Sequence, residues 1–368
     1  MFSWLALEKA VLEKFAFIMH PLDAKRDVAR KYPFVKYLPN SVVEWGLKRT
    51  GPMAVSHITG VRSAAGAEAE GWFVGCPLTP RQMVELPTEF VYRKIIAAGK
   101  TAQDSGARIV GLGAFTSVVG DGGRTIAANL DIAVTTGNSY TVATALEGAL
   151  KAAEMMGIDP SQAIAAVVGA AGSIGRTCSE FLADEVPALR LVGLATDPLA
   201  ELAQSLSGRK ARVEVFSEVA AGLRDADIVI AVSSAVDAII LPEHLKSGSV
   251  VCDVARPRDV SYRVVKERND VLVIEGGVVA VPGDVEFNFD FGFPPKTAYA
   301  CMSETMMLAL EGRYESYTLG KEVSVAQVRE MQSLAKKHGF KLAGFRSFEK
   351  AVTEEQMAAI RANVRRTP

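Results

Sequence analysis

The sequence predicts an α/β protein, a Rossmann-type doubly wound parallel sheet plus an α/β substrate-handling domain. Three observations carry this. From residue 139 onward, short apolar runs alternate with helical segments, the pattern of a parallel sheet covered on both faces. The stretch "AAVVGAAGSIGRT" places a glycine-rich turn between a strand and a helix. Upstream of it, strands and helices follow in mixed order, so that half reads as a separate α/β unit.

The bulk numbers agree. The chain has 368 residues, 49% hydrophobic and 23% charged, enough for two domains with cores of their own. The net charge of −1 gives no basic excess, which argues against a nucleic-acid partner. Cys76, Cys178, Cys252 and Cys301 are far apart and form no CxxC. They read as reduced thiols of a cytoplasmic protein without a metal site. His20, His57, His244 and His338 form no ligand cluster either.

In chain order, "MFSWLALEKAVLEKF" reads as a helix that Lys9, Glu13 and Lys14 keep from spanning a bilayer. It packs on the body, or it makes a weak membrane-surface contact through Phe2, Trp4 and Leu5. "FAFIMHPL" reads as a buried strand, followed by strands near 53–63 and at "GWFVGC". Pro87 and Gly106 suit the two ends of a helix. "RIVGLGAF" is a strand entering the loop "TSVVGDGG". A long helix from Ser139 stops at Gly157, and strands and helices alternate from there to "DVLVIEGG". A polar helix near 325–338 precedes a charged tail that the composition leaves loosely held.

Gly169, Gly172, Ser173, Ile174 and Gly175 form the candidate cofactor turn. Glycine allows the tight turn, the close approach to a pyrophosphate and the close packing of helix on strand. The helix N-terminus then offers free N–H groups to the phosphates. At the end of the next strand, Thr196 and Asp197 are placed to meet the adenosine ribose. Asp197 also suits a cap of a helix beginning at Pro198. Ser233 and Ser234 belong near the nicotinamide, or are polar loop residues.

"TAYACMSETMMLALEG" reads as one helix from Thr297, with Cys301 in its first turns. If Thr297 caps it, Cys301 is the fourth helical position and feels the tail of the helix dipole. That is too little to ionise a thiol, so another donor or base is required. Cys301 is either an apolar filler or a nucleophile, and Cys76, before a proline at a strand end, is its rival. Glu304, one turn on, is a candidate proton handler or a solvated carboxylate. Thr116, Ser117 and Asn138 lie in loops able to donate hydrogen bonds to an oxyanion. Asn138 alternatively caps the helix after it, and Gly113 and Gly137 let these loops approach a substrate. Met302, Met306 and Met307 line a tunnel for a flexible chain or belong to the core.

Together "GAFTS" (113–117), "TTGN" (135–138), "VVGAAGSIG" (167–175), "GGVV" (276–279), "ACMSETMMLALEG" (300–312) and "HGF" (338–340) resemble the aldehyde-forming long-chain acyl-[acyl-carrier-protein] reductases. The matches are collinear over roughly residues 15–345. The resemblance implies an NADPH-dependent reduction of a fatty acyl thioester to an aldehyde. It also implies that Cys301 carries the acyl group, delivered by an acyl carrier protein or coenzyme A. The family has an arginine where this chain has Thr196, which leaves NADH open. It also ends soon after "HGF", which leaves residues 346–368 without an assigned role. The alternatives are a non-covalent dehydrogenase of a small carbonyl, hydroxy acid or amino acid, and a non-catalytic nucleotide sensor. The expected layout is a substrate domain at 1–140, a Rossmann domain at 141–296 and a nucleophile-bearing segment at 297–368.

Overall fold

The computed structural model describes residues 12–320 and 322–364. The predicted N-terminal helix, with Phe2, Trp4 and Leu5, lies outside them, apart from Glu13 and Lys14, which belong to a strand. Two six-stranded sheets organise the chain. The first contains β1 (Glu13–Met19), β2 (Met53–Arg62), β3 (Glu68–Gly75), β4 (Ile109–Leu112) and β5 (Ala133–Thr135). β1 is central, parallel to β3 and β4. Its run Phe15, Ala16, Phe17, Ile18 is buried on both faces, as expected of a strand with a helix on each side. Ala16 and Ile18 pack with the Thr88–Asp104 helix. Phe15 and Phe17 face the Ala300–Leu310 helix and the long Asn138–Met156 helix.

The second sheet contains β6 (Ile164–Val168), β7 (Ala188–Val192), β8 (Arg212–Phe216), β9 (Ile228–Ala231), β10 (Val250–Asp253) and β11 (Leu272–Glu275). Its order β11-β10-β9-β6-β7-β8 is all parallel. This is the doubly wound dinucleotide-binding order, and its direction reverses between β6 and β9. Ligands of such sheets sit at the carboxyl ends of the strands beside that reversal.

The boundary expected at residue 296 differs. The dinucleotide sheet ends with β11, after which β12 (Val278–Ala280) pairs with β14 (Thr297–Tyr299) and with β15 (Lys341–Leu342). Between them β13 (Gly283–Glu286) crosses back to pair with β2 in the first sheet. The nucleophile-bearing segment is not a separate unit either, because the Ala300–Leu310 helix is a covering layer of the first sheet. Nor is the tail loosely held over its described part. Arg346 is buried, Glu354–Asn363 is helical, and Arg361 donates to the Met155 carbonyl at 3.0 Å.

Among the described residues, no helix is long and apolar enough to cross a membrane, and no group of His, Cys, Asp and Glu is placed to hold a metal ion.

Candidate active site

The turn after β6 has the geometry a dinucleotide needs. Gly169 sits at φ +84°, where a Cβ would lie 2.7 Å from the Ser233 backbone. A Cβ on Gly175 would lie 2.2 Å from the Gly169 carbonyl oxygen. These two glycines are fixed by packing. At Gly172 a Cβ would meet only the Gly169 oxygen, at 3.3 Å, so this residue faces open space. Gly172 is the N-cap of the Ser173–Glu185 helix, so the first N–H groups of that helix have no intrahelical acceptor and point into the crevice. The residues present therefore fit a dinucleotide pyrophosphate.

The adenosine end departs from expectation. The helix after β7 starts at Thr196 rather than Pro198, with Ala195 as its cap. Thr196 and Asp197 are exposed on it and do not line the cavity, which here is walled by Gly193, Leu194, Ala195, Ser217 and Val219. These wall residues carry no charge to select for or against a 2′-phosphate. At the opposite end, Ser234 lines the cavity, but the Ser233 hydroxyl is already committed, donating to buried Asp259. The Ser233 N–H donates to the same carboxylate at 2.9 Å.

The nucleophile helix also starts later than expected. Thr297–Tyr299 is strand β14, held by pairing with β12, and Tyr299 is the helix N-cap. Cys301 is thus the second helical residue, not the fourth, and lies within the first turn, where the dipole is strongest. Of the eleven residues Ala300–Leu310, Cys301 alone is not buried. It lines the same cavity as Gly172 and Ser234. Burial of its sulfur pushes the thiol up to about 12; backbone N–H groups of Met302 and Cys301 pull the other way.

Close approach of the "TTGN" loop fixes this wall. Gly137 has φ +73°, and a Cβ there would stand 2.2 Å from the Cys301 Cβ. Gly137 therefore makes room for the nucleophile helix rather than for a substrate. It is also the N-cap of the Asn138–Met156 helix, so Asn138 does not cap it. Instead Asn138 Nδ2 donates to Ser173 Oγ at 3.1 Å, tying this loop to the dinucleotide turn.

Glu304 is fully buried and does not line the cavity. Its Oε1 accepts from Thr135 at 2.6 Å and Thr318 at 3.1 Å. Its Oε2 accepts from Ser139 at 2.7 Å and from the Tyr140 N–H at 2.9 Å. Both oxygens are taken, so Glu304 is neither solvated nor free to pass a proton. It clamps the nucleophile helix onto the N-terminus of the long helix, a favourable place for a carboxylate. Thr116 is likewise turned inward: its Oγ1 donates to the Gly113 carbonyl at 2.8 Å and accepts the Gly113 N–H at 3.0 Å. Ser117 lines the cavity, with its hydroxyl donating to Ala114 at 2.7 Å.

Cys178 and Cys252 are core residues. Cys76 lines the cavity but is fully buried where Cys301 is not, and burial pushes its thiol up to about 12, as it does that of Cys301. His20 also lines the cavity. Its Nε2 accepts the Phe115 N–H at 3.2 Å, and burial lowers it to about 4, leaving it neutral. His338 is buried and hydrogen-bonds Ser63 at 2.7 Å beside Glu311, a cross-element tie more than a helix cap.

The cavity shared by these residues measures about 1140 Å³, more than a typical single-ligand pocket of roughly 300–1,000 Å³. Beyond Cys301 it continues under the helices Ala24–Lys31 and Asn40–Arg49, between Phe17, Met19, Leu22, Val35, Val43, Leu47 and Phe115. Met302 lines it, whereas Met306 and Met307 are buried in the core. Arg256, in the loop after β10, also lines it. Sequence reasoning passed over that residue, although "DVARPRD" follows a strand end on the side of the crevice.

Residues 151–275 match the model of the shikimate / quinate 5-dehydrogenase family. The chain is 27% identical over 348 residues to a long-chain acyl-[acyl-carrier-protein] reductase of Synechococcus elongatus, covering 89% of this chain and 98% of that protein. It is 29% identical over 357 residues to the aminotransferase PigE of a Serratia species, covering 94% of this chain but only 41% of that protein. Among solved structures, L-tryptophan dehydrogenase from Nostoc punctiforme aligns with a TM-score of 0.39 at 12% identity, over 96% of this chain and 87% of that one. Glutamyl-tRNA reductase from Methanopyrus kandleri aligns with a TM-score of 0.31 at 16% identity, over 77% and 60%. The chain is a Rossmann-type NAD(P)-dependent oxidoreductase.

Proposed function

We propose that the protein reduces a long-chain fatty acyl thioester, carried by an acyl carrier protein or coenzyme A, to the aldehyde through an acyl-enzyme on Cys301. The observation that carries this is the position of Cys301. It is the single unburied residue of its helix, and the cavity it faces holds the dinucleotide turn at one end and an apolar chamber at the other. The distant likeness to a long-chain acyl-[acyl-carrier-protein] reductase over nearly its whole length supports the same reading.

The chemistry follows from the thiol. Cys301 Sγ attacks the thioester carbonyl, the bond to the carrier sulfur breaks, and the carrier leaves as a thiol. This exchange of one thioester for another is close to balanced in energy, and the product is still electrophilic. A reduced nicotinamide cofactor, held at the turn from Gly169 to Gly175, would supply the hydride to that carbonyl carbon. The resulting alkoxide collapses, the bond to Sγ breaks, and the aldehyde leaves while Cys301 recovers its proton. The apolar walls from Phe17 to Leu47 hold the chain and exclude water, which would otherwise hydrolyse the acyl-enzyme.

A second reading, hydride transfer to a small carbonyl without a covalent intermediate, is favoured by the shikimate / quinate dehydrogenase match. That match covers the dinucleotide sheet, which both readings share. Intact mass spectrometry separates them. Protein mixed with palmitoyl-coenzyme A, without reduced cofactor, should gain one hydroxylamine-labile acyl group on Cys301. Cys76→Ala should still gain it, and Cys301→Ala should not. Normal turnover by Cys301→Ala would leave the non-covalent dehydrogenase as the better reading.

A further inference from the structure

The shift of the Cys301 thiol to about 12 is large, and the start of a helix offsets only part of it. A cation is at hand. The Arg256 side chain is 8% exposed and lines the cavity. Its Nε donates to the Tyr299 hydroxyl at 3.3 Å, and its Cζ lies over that ring, 5.4 Å from the centroid. Tyr299 is the N-cap of the nucleophile helix, so Arg256 is fastened to the residue two before Cys301. Nη1 donates to the carbonyls of Ala255 at 2.7 Å and Asp253 at 3.3 Å. Nη2 is buried with no hydrogen-bond acceptor among the described residues.

The neighbouring carboxylates help to hold the guanidinium charged without hydrogen-bonding this nitrogen. Glu275 is the nearest carboxylate, 3.8 Å from Nη2 and beyond hydrogen-bond reach. It is shared with Arg258 at 2.7 Å and Arg346 at 3.9 Å. Asp253 turns its carboxylate to the N–H groups of Ala255 and Val260, and Asp259 turns its own to Ser233. Burial raises both toward the neutral form, Asp253 to about 7. On the nucleophile helix the nearest acid is Glu304, which opposes ionisation of Cys301, whereas Arg256 favours it.

We propose that Arg256 is the anion-holding group of this site, and that the charge its free Nη2 is set to meet is the thiolate of Cys301. The proton leaves Sγ for solvent in the cavity, and the sulfur keeps the electron pair beside a fixed guanidinium. Arginine suits this task because it stays charged when buried, and its planar head can hold Tyr299 and the Asp253–Ala255 carbonyls while one nitrogen remains free. The proposal rests on Cys301 being the reactive thiol, but its test needs no acyl donor.

The test is the rate of iodoacetamide alkylation of Cys301, followed by peptide mass mapping from pH 6 to 10. In this reaction Sγ displaces iodide, so the rate reports the thiolate fraction. Arg256→Met should slow alkylation at pH 8 by at least about tenfold and move the profile up by about one unit or more. Arg256→Lys, which keeps the charge, should recover most of the rate. Nicotinamide nucleotide affinity, measured by calorimetry, should be unchanged in both. Equal profiles for wild type and Arg256→Met would overturn the proposal, as would Arg256→Lys alkylating as slowly as a well-folded Arg256→Met. If Arg256→Met fails to fold, Arg256→Gln is compared with Arg256→Lys by the same criteria. A normal alkylation shift without any acyl-enzyme would uphold the role of Arg256 while removing the acyl-thioester reading.

Discussion

Replacing Gly137 by alanine tests the close approach on which the site depends. The added Cβ would stand 2.2 Å from the Cys301 Cβ, 2.3 Å from its Cα and 2.9 Å from its carbonyl oxygen. Ordinary contacts begin at 3.4 Å, so the two backbones must separate by more than an ångström. Holding alanine at φ +73° adds about 1–2 kcal/mol of strain. Overpacking adds about 1–3 kcal/mol, so a loss of about 2–5 kcal/mol in stability is expected. A displacement of this size at the nucleophile should also slow acylation by about a hundredfold. Gly66→Ala is the control, because it combines φ +92° with open space around the new Cβ. It should cost only the strain and leave the acylation rate alone. Urea denaturation and the rate of acyl-enzyme formation read the two effects. If Gly137→Ala is no less stable than Gly66→Ala and acylates at the wild-type rate, the packing argument is wrong.

Gly172→Val should abolish nicotinamide nucleotide binding in calorimetry while the circular dichroism spectrum is kept, because φ −74° and ψ 165° suit valine and its side chain would enter the phosphate position; retained affinity would remove the turn from the site. Because none of the described residues walling the adenosine end is charged, the kcat/KM ratio of NADPH over NADH should stay below about a thousandfold, or about 4 kcal/mol, and a larger ratio would mean that a selecting residue has been missed. Asp253 lies well above its ordinary value, at about 7. Between pH 4 and 7 the folded protein therefore keeps a proton that the unfolded chain releases, so the contribution of Asp253 to stability falls as pH rises through that window and is flat above it. Asp253→Asn should lack this fall, and urea midpoints at pH 5 and 8 that change equally in both proteins would contradict the shift.

The sequence by itself determined the dinucleotide half. Strand composition, the turn from Gly169 to Gly175 and the helix that follows are local features, with signals that lie within about a dozen residues of one another. It also singled out Cys301, although the residues alone did not choose between filler and nucleophile. Tertiary structure made the remaining decisions, because each depends on which distant segments touch. The carboxylate of Glu304 looks like a surface group until Thr135, Ser139, Tyr140 and Thr318 close around it. Gly137 reads as room for a substrate and is, besides the N-cap of its own helix, the clearance for a helix more than 160 positions later in the chain. Asp197 sits near the expected strand end, yet a helix that begins two residues early carries it out of the crevice. For Arg256 the sequence offered only its place after a strand end, because its significance is a nitrogen that no described residue partners in a buried wall. Such a vacancy is defined only by the three-dimensional arrangement of the groups around it.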